Sequence, residues 1–240
     1  MPVAAASMSK KWLRERSKDF WYKLAKKEGW RSRASFKLMQ LDEKHEIFFE
    51  GMKVVDLGAA PGGWSQVAVD LVGPEGVVVG VDLDKIEPME GVTFLRGDMT
   101  SPDTVARTME AIGGSADVVI SDMSPNISGA YMTDHARSIF LVESALAFAQ
   151  KVLVRDGSFV CKVFEGDMFP LLLHKLRQGF RDVRVDHPPA SRSASSEVYV
   201  VAKRYKGPPK YAAPEGEPEW QEGDALPESR RSRRAKGGED

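Results

Sequence analysis

A chain of 240 residues with 42% hydrophobic and 29% charged content has room for one globular α/β domain plus additional segments. Its apolar runs are too short to span a bilayer, and "MPVAAASMSKKWLRER" lacks the apolar stretch behind positive residues that a secretory signal needs. A single cysteine, Cys161, excludes an internal disulfide and a cysteine-rich metal centre, and four scattered His give no metal-ligand spacing. Together these features predict a cytoplasmic protein with no membrane partner and no metal.

The formal net charge of −1 hides a basic amino-terminal run. From Ser9 to Lys37, eleven Lys or Arg stand against three Asp or Glu, a local balance of +8. Trp12, Phe20, Trp21, Tyr22, Trp30 and Phe36 are interleaved with them. Charge runs are usually solvated helical faces. Here three acids leave most of the eleven bases unmatched, and basic residues among aromatics suit an RNA partner. Residues 1–50 are therefore expected to form a basic helical RNA-binding region, with helices near Asp19–Lys27 and Ala34–Glu46.

From residue 51 to 205, strand-like and helix-like segments alternate. Val54–Leu57 reads as a strand, Trp64–Val72 as a helix, and Gly76–Val81 and Val92–Leu95 as strands. Thr104–Ala111 is a predicted helix and Asp117–Ser121 a strand. Asp134–Leu153 is a long amphipathic helix with Ile139, Val142, Leu146, Ala149 and Leu153 on one face. Phe159–Val163 is a strand, Met168–Arg177 a helix, and Val183–Val185 and Val198–Ala202 are strands. This alternation predicts an α/β fold with a mostly parallel sheet covered by helices on both faces. Residues 206–240 hold five Pro, five Gly and the cluster "RRSRRAK", and read as a disordered charged tail.

Candidate chemistry begins with "VVDLGAAPGGWSQ", a glycine-rich turn between the first strand and its helix. Ligands of open parallel sheets bind beyond the carboxyl ends of the strands, where this turn falls. Gly58-x-Ala60-x-Gly62 lacks the middle glycine of a dinucleotide fingerprint, and the turn alone fits any α/β protein. Acids then recur at strand ends: Asp82 in "GVVVGVD", Asp98 in "FLRGD" and Asp122 in "DVVISD", with Asp56 just before the turn. An acid about twenty residues past such a turn suits a ribose hydroxyl pair, Asp98 suits an adenine amino group, and Asp122 a cationic centre. A positively charged nucleoside without phosphate fits this crevice better than a nicotinamide dinucleotide does, and S-adenosyl-L-methionine is such a molecule.

"GSFVCKVFEG" carries a second anomaly, since Lys162 stands inside an apolar strand where an unpaired charge costs several kcal/mol. Taken singly, Lys162 reads as a lysine snorkelling from a strand end, Glu197 as an exposed strand start, and Asp122 as a turn former before Ser124–Pro125. Singly, each of these structural readings outweighs a functional one. Cys161 faces away from Lys162 on the same strand, which argues against a cysteine nucleophile.

The motifs "RSRASFKL", "DLGAAPGGWSQ", "GVDL", "GDMT", "SDMSPNISG", "CKVFEG" and "SRSASSEVYVVA" occur in one order over residues 18–203. In this set the chain resembles the FtsJ-type (RrmJ-like, RlmE-like) RNA 2′-O-ribose methyltransferases. It departs from the bacterial pattern at Ala34–Ser35–Phe36, where a tryptophan is typical, and in its acidic, proline-rich tail. The resemblance implies a Rossmann-like methyltransferase sheet of seven strands with the last antiparallel, and makes 51–205 the catalytic domain. It implies a catalytic tetrad of Lys37, Asp122, Lys162 and Glu197, and cofactor contacts at Gly62, Trp64, Asp82, Asp98 and Asp122. The implied substrate is a uridine of large-subunit ribosomal RNA, acted on by a monomer. A tRNA anticodon loop, and a non-catalytic RNA-binding ribosome-assembly factor that keeps the fold, are the alternatives.

A ribose 2′-hydroxyl is a poor nucleophile, whereas a sulfonium methyl is already activated. The enzyme must align oxygen, methyl and sulfur and lose one proton, and alignment alone is worth several kcal/mol. A lysine within hydrogen-bond reach either orients the hydroxyl or, when neutral, takes its proton. Both roles are open for Lys162, with Asp122 fixing its direction and Glu197 holding a lysine in place.

Overall fold

The computed structural model describes residues 20–191 and 196–208, which fall within one compact unit, Met1–Pro208. The basic stretch before residue 20 and the tail beyond residue 208 lie outside the described residues, so the expectations placed on them carry no structural finding.

Helix α1 (residues 20–28) and α2 (Ser35–His45) precede the first strand. The alternating region then runs β1 (Lys53–Leu57), α3 (Gly63–Val72), β2 (Val77–Asp82), β3 (Val92–Arg96), α4 (Pro102–Ala111), β4 (Ala116–Ser121), α5 (Tyr131–Val152), β5 (Leu153–Phe164), α6 (Phe169–Gly179), β6 (Phe180–Asp186) and β7 (Glu197–Tyr205). The seven strands form one sheet in the order β3-β2-β1-β4-β5-β7-β6. β1 to β5 pair in parallel, and β7 inserts antiparallel between β5 and β6. This is the mostly parallel sheet that the alternation predicts, with the seven strands that the family resemblance implies. Valine-rich runs at β1, β2 and β4 are buried because central parallel strands are covered on both sides.

Side chains alternate along each strand, so the sheet has two cores. On one face Cys161, Val163, Val198 and Val200 pack with Ile139, Val142, Leu146 and Ala149 of α5. On the other, Val160, Tyr199 and Val201 meet Leu38 and Leu41 of α2 and Trp64 of α3. Helix α2 is thus part of the sheet's own packing, and its first turn is tied to α3: Ser35 Oγ donates to the Gly63 carbonyl (2.9 Å) and Trp64 Nε1 to the Ala34 carbonyl (2.9 Å).

Element boundaries differ from expectation where turn chemistry sits inside a strand. The long helix begins at Tyr131 and ends at Val152, and the chain enters β5 at once instead of at Phe159. "VRDGS" reads as a turn, and it is one locally: Asp156 has φ 65, and the register against β4 shifts between Ala116 and Val118. Pairing resumes at Ser158, so the excursion is an irregularity within β5. The last two strands are also longer than predicted, because their exposed polar positions mask the pattern.

Candidate active site

Strand order reverses between β1 and β4, whose following loops diverge there, and an α/β sheet opens a crevice at such a point. A cavity of about 650 Å³ occupies it, lined by Gly58 and Ala60 after β1, Asp82–Asp84 after β2, Gly97–Thr100 after β3 and Asp122–Ser124 after β4, with Phe140, Leu141 and Ser144 of α5. Its ionisable walls are all acidic: Asp82, Asp84, Asp98 and Asp122. That charge suits a cationic ligand and disfavours a pyrophosphate.

The acids are held by backbone donors. Asp82 Oδ2 accepts from the Ala60 N–H (2.9 Å) and Oδ1 from Asp84 N–H (2.9 Å), tying the glycine turn to the end of β2. Asp98 Oδ1 accepts from the Thr100 N–H and hydroxyl (both 2.8 Å), and these bonds hold its carboxyl below the ordinary range. Beneath the turn, Asp56 is 1% exposed. Burial, opposed by the Ser65 hydroxyl and reinforced by the charges of Asp122 and Asp82, pushes its carboxyl up to about 7. Gly58 (φ 70) is needed in the turn, because a Cβ there would overlap the Met123 side chain lying over it.

Of the expected cofactor residues, Asp82, Asp98 and Asp122 line the cavity, whereas Gly62 and Trp64 are not among its walls. Trp64 is buried in the α2–α3 core with its ring 5.7 Å from that of Tyr199. Gly62 (φ 103) shapes the turn beside Arg31, where a Cβ would stand 3.0 Å from Nη1.

The four tetrad residues converge at the carboxyl edge of β4 and β5. Lys162, 9% exposed, donates from Nζ to the Asp122 carbonyl (2.6 Å) and stands 3.1 Å from Asp122 Oδ1. Lys37, 7% exposed, donates from Nζ to Glu197 Oε1 (2.6 Å) and to the Tyr199 hydroxyl (2.9 Å). The Tyr199 hydroxyl in turn donates to Asp122 Oδ1 (2.7 Å), joining the two ion pairs into one network. Register explains the convergence: Lys162 pairs directly with Tyr199 and Phe164 with Glu197, so these side chains share the face that α2 covers. The apolar side of α2, Leu38 and Leu41, seats the helix so that Lys37 reaches them.

Charges follow the geometry. Burial would raise Glu197, but the ammonium groups of Lys37 and Lys162 outweigh it and hold the carboxyl below its usual value. Burial, then the charges of Asp122 and Glu197, push the Tyr199 phenol well above its usual value, so it stays protonated as a donor. Cys161 is fully buried on the opposite face, and desolvation pushes its thiol far up, which keeps it inert. Among the described residues no cluster of His, Cys, Asp or Glu is suited to a metal ion, and no helix is long and apolar enough to cross a membrane.

Two participants were missed in the sequence. Tyr199 lies in "SSEVYVVA", two residues past Glu197 on one strand face, and that i, i+2 spacing was its only trace. Arg31 ties together the loops after β1 and β2: its guanidinium donates to the carbonyls of Pro61 (3.2 Å), Glu87 (2.7 Å) and Pro88 (2.7 Å), while its own N–H meets Gln66 Oε1 (3.0 Å). Carbonyl acceptors so far away in the chain leave no local pattern.

The chain matches the family model described as FtsJ-like methyltransferase over residues 30–205. It is similar to the ribosomal RNA large subunit methyltransferase E of Methanococcus aeolicus, 49% identical over 200 residues, which are 82% of this chain and 74% of that protein. Its counterpart in Methanothermobacter thermautotrophicus is 47% identical over 206 residues, 85% of this chain and 98% of that one. A crystal structure of a ribosomal RNA methyltransferase from Plasmodium falciparum shares the fold, with a TM-score of 0.67 at 24% identity over 75% of this chain and all of that one. With nearly three-quarters of its length inside the family model, and relatives near half identical along most of it, this chain belongs to the FtsJ-like methyltransferase family.

Proposed function

We propose that this protein methylates a ribose 2′-hydroxyl of RNA with S-adenosyl-L-methionine as donor, and that its substrate is a uridine in large-subunit ribosomal RNA. The observation that carries this reading is the single hydrogen-bonded network of Lys37, Glu197, Tyr199, Asp122 and Lys162 at the rim of an acid-walled cavity. The names of the similar proteins favour ribosomal RNA over a tRNA anticodon loop. A non-catalytic assembly factor has no physical need for two buried, paired lysines at a ligand edge.

When bound, S-adenosyl-L-methionine supplies a methyl group already activated by its sulfonium. Among the acids lining the cavity, Asp82 would accept from ribose hydroxyls, Asp98 from an adenine amino group, and Asp122 would offset positive charge. Lys162 has two acceptors on Asp122, which leaves its third N–H for the substrate hydroxyl. In its charged form Lys162 orients the 2′ oxygen, and in its neutral form it takes the proton. A pH–rate profile of the single-turnover step separates the two roles. Lys37, locked by Glu197 and Tyr199, would add positive charge near that oxygen. Residues 1–50 would hold the RNA backbone, in part through the charges outside the described residues.

The test is incubation with labelled cofactor and separate ribosomal RNA and tRNA pools, followed by mapping of the methylated ribose. The expected product is one 2′-O-methyluridine in large-subunit RNA, and Lys162→Ala is expected to lose at least about 100-fold in rate while still binding cofactor. Label entering only tRNA, or a Lys162→Ala enzyme of wild-type rate, would overturn the reading.

A further inference from the structure

A second cavity, of about 490 Å³, opens beside the first and is lined by Pro125, Asn126, Ala136, Arg137, Phe140 and Leu141. Phe140 and Leu141 line both cavities, so the two are continuous along one stripe of α5. Pro125 follows Asp122 by three residues, which bounds the distance between their Cα atoms at about 11 Å. Its size falls within the range of small-ligand sites, roughly 300–1,000 Å³.

The walls of the two cavities differ in charge. Four aspartates and no cation line the first, whereas one cation, Arg137, and no acid line the second. Arg137 is the one ionisable wall residue, and the Asp134 carboxylate at the lip is spent on the Ser128 and Gly129 donors, so an anionic group beside an apolar one fits here better than a second cationic ligand. The Phe140 ring is 65% exposed on a helix whose other face is fully packed, so it contributes a free aromatic surface to the wall.

The lip of the cavity is preorganised. Asp134 Oδ1 accepts from the Ser128 N–H and hydroxyl (both 2.8 Å) and Oδ2 from the Gly129 N–H (3.0 Å), while Arg137 Nη1 donates to the Asn126 carbonyl (3.2 Å). These bonds set the loop after β4 at a fixed height over α5, so a ligand meets a formed site and not a collapsing one.

We propose that this second cavity is a nucleobase subsite, where the base of a nucleotide adjoining the methylated ribose stacks on Phe140 with Arg137 beside its phosphate. The inference rests on RNA being the substrate. It gives the enzyme a means of splaying the strand so that the target ribose turns toward Lys162, as single-stranded recognition by aromatic faces requires.

The experiment uses the full chain and hairpins carrying the methylated site, each with one abasic position flanking the target, read by fluorescence anisotropy. Phe140→Ala is expected to weaken binding of the intact hairpin about tenfold, with Phe140→Tyr within about twofold of wild type. One abasic hairpin should cost wild type the same factor and cost Phe140→Ala nothing further. Arg137→Gln should lower the salt slope of RNA binding by about 1 and leave calorimetric cofactor affinity unchanged, since Arg137 does not line the first cavity. Phe140 is exposed, so the variant is expected to fold, and its melting curve checks this. If wild type methylates RNA but abasic losses are equal in wild type and Phe140→Ala, the subsite is wrong and the function stands. If wild type methylates no RNA, both fail together.

Discussion

Replacing Asp56 by asparagine isolates the cost of burying a carboxyl at the end of β1. Asp56 is completely buried, and its carboxyl is raised from an ordinary 3.8 to about 7, chiefly by desolvation, with Ser65 as its hydrogen-bond donor at 2.7 Å. Between those two values the folded chain keeps this proton while the unfolded chain has lost it, so stability falls as pH rises, by about 1.4 kcal/mol per pH unit. The window runs from about pH 4 to about pH 7 and totals about 4 kcal/mol, after which the term is constant. Asparagine keeps the shape and an acceptor for Ser65 but never ionises. Urea unfolding of both proteins at half-unit steps from pH 4 to 9 gives the difference directly. Wild type should lose about 4 kcal/mol relative to Asp56→Asn over that window and then run parallel to it above about pH 7.5. A difference that is flat with pH would refute the argument, because a buried carboxyl that stays ionised throughout must have a partner that the geometry lacks.

Three further outcomes follow from the packing. Trp64→Phe removes the bond to the Ala34 carbonyl and part of a buried ring, and should cost about 2 kcal/mol of stability while cofactor affinity by calorimetry stays within about twofold. A tenfold affinity loss without destabilisation would instead make Trp64 a direct ligand contact. Gly80→Ala puts a Cβ 2.6 Å from the Phe94 ring and 3.0 Å from Ala59 of the glycine turn, and should lower stability by about 1–3 kcal/mol in thermal melts. Neutralising Lys10, Lys11, Arg14 and Arg16 should reduce the salt slope of RNA binding by about 3 and leave cofactor binding alone. Equal loss of both would argue against a separate grip on the backbone.

Strand ends and their acids were legible because alternating burial and turn residues are local signals. Asp82, Asp98 and Asp122 could each be placed at a strand end and did reach one cavity. The tetrad came from family motifs, and neither lysine nor glutamate could have been paired from spacing alone. Which pairs with which depends on register: Lys162 faces Tyr199, and Lys37 takes Glu197 across 160 residues of chain. The start of β5 was lost because "RDGS" is a true turn inside a strand, and local pattern cannot tell a bulge from a loop. Trp64 illustrates the converse, a motif residue whose side chain holds two helices together and never faces the cavity.

The basic amino-terminal run also reads differently once its members are placed. Arg31 is committed to three loop carbonyls, Arg33 donates to the Ala190 carbonyl at 2.6 Å, and Lys37 is paired with Glu197 and Tyr199. Of the aromatics among them, Trp21, Trp30 and Phe36 pack around Ala25 and Ala190, and only Phe20 and Tyr22 are exposed among the described residues. A run that looks like one RNA-binding surface therefore holds two populations. Its later part builds the site from behind, whereas Lys26 and Lys27 of α1 are exposed. This division predicts different kinetic signatures: loss of Arg31 should raise the cofactor KM through the glycine turn, whereas loss of exposed charge should raise the RNA KM alone. Arg31→Lys is the sharper form of the test. A lysine keeps the charge but cannot reach three carbonyls on two loops, so a charge role would leave cofactor KM unchanged and a positioning role would raise it about tenfold or more.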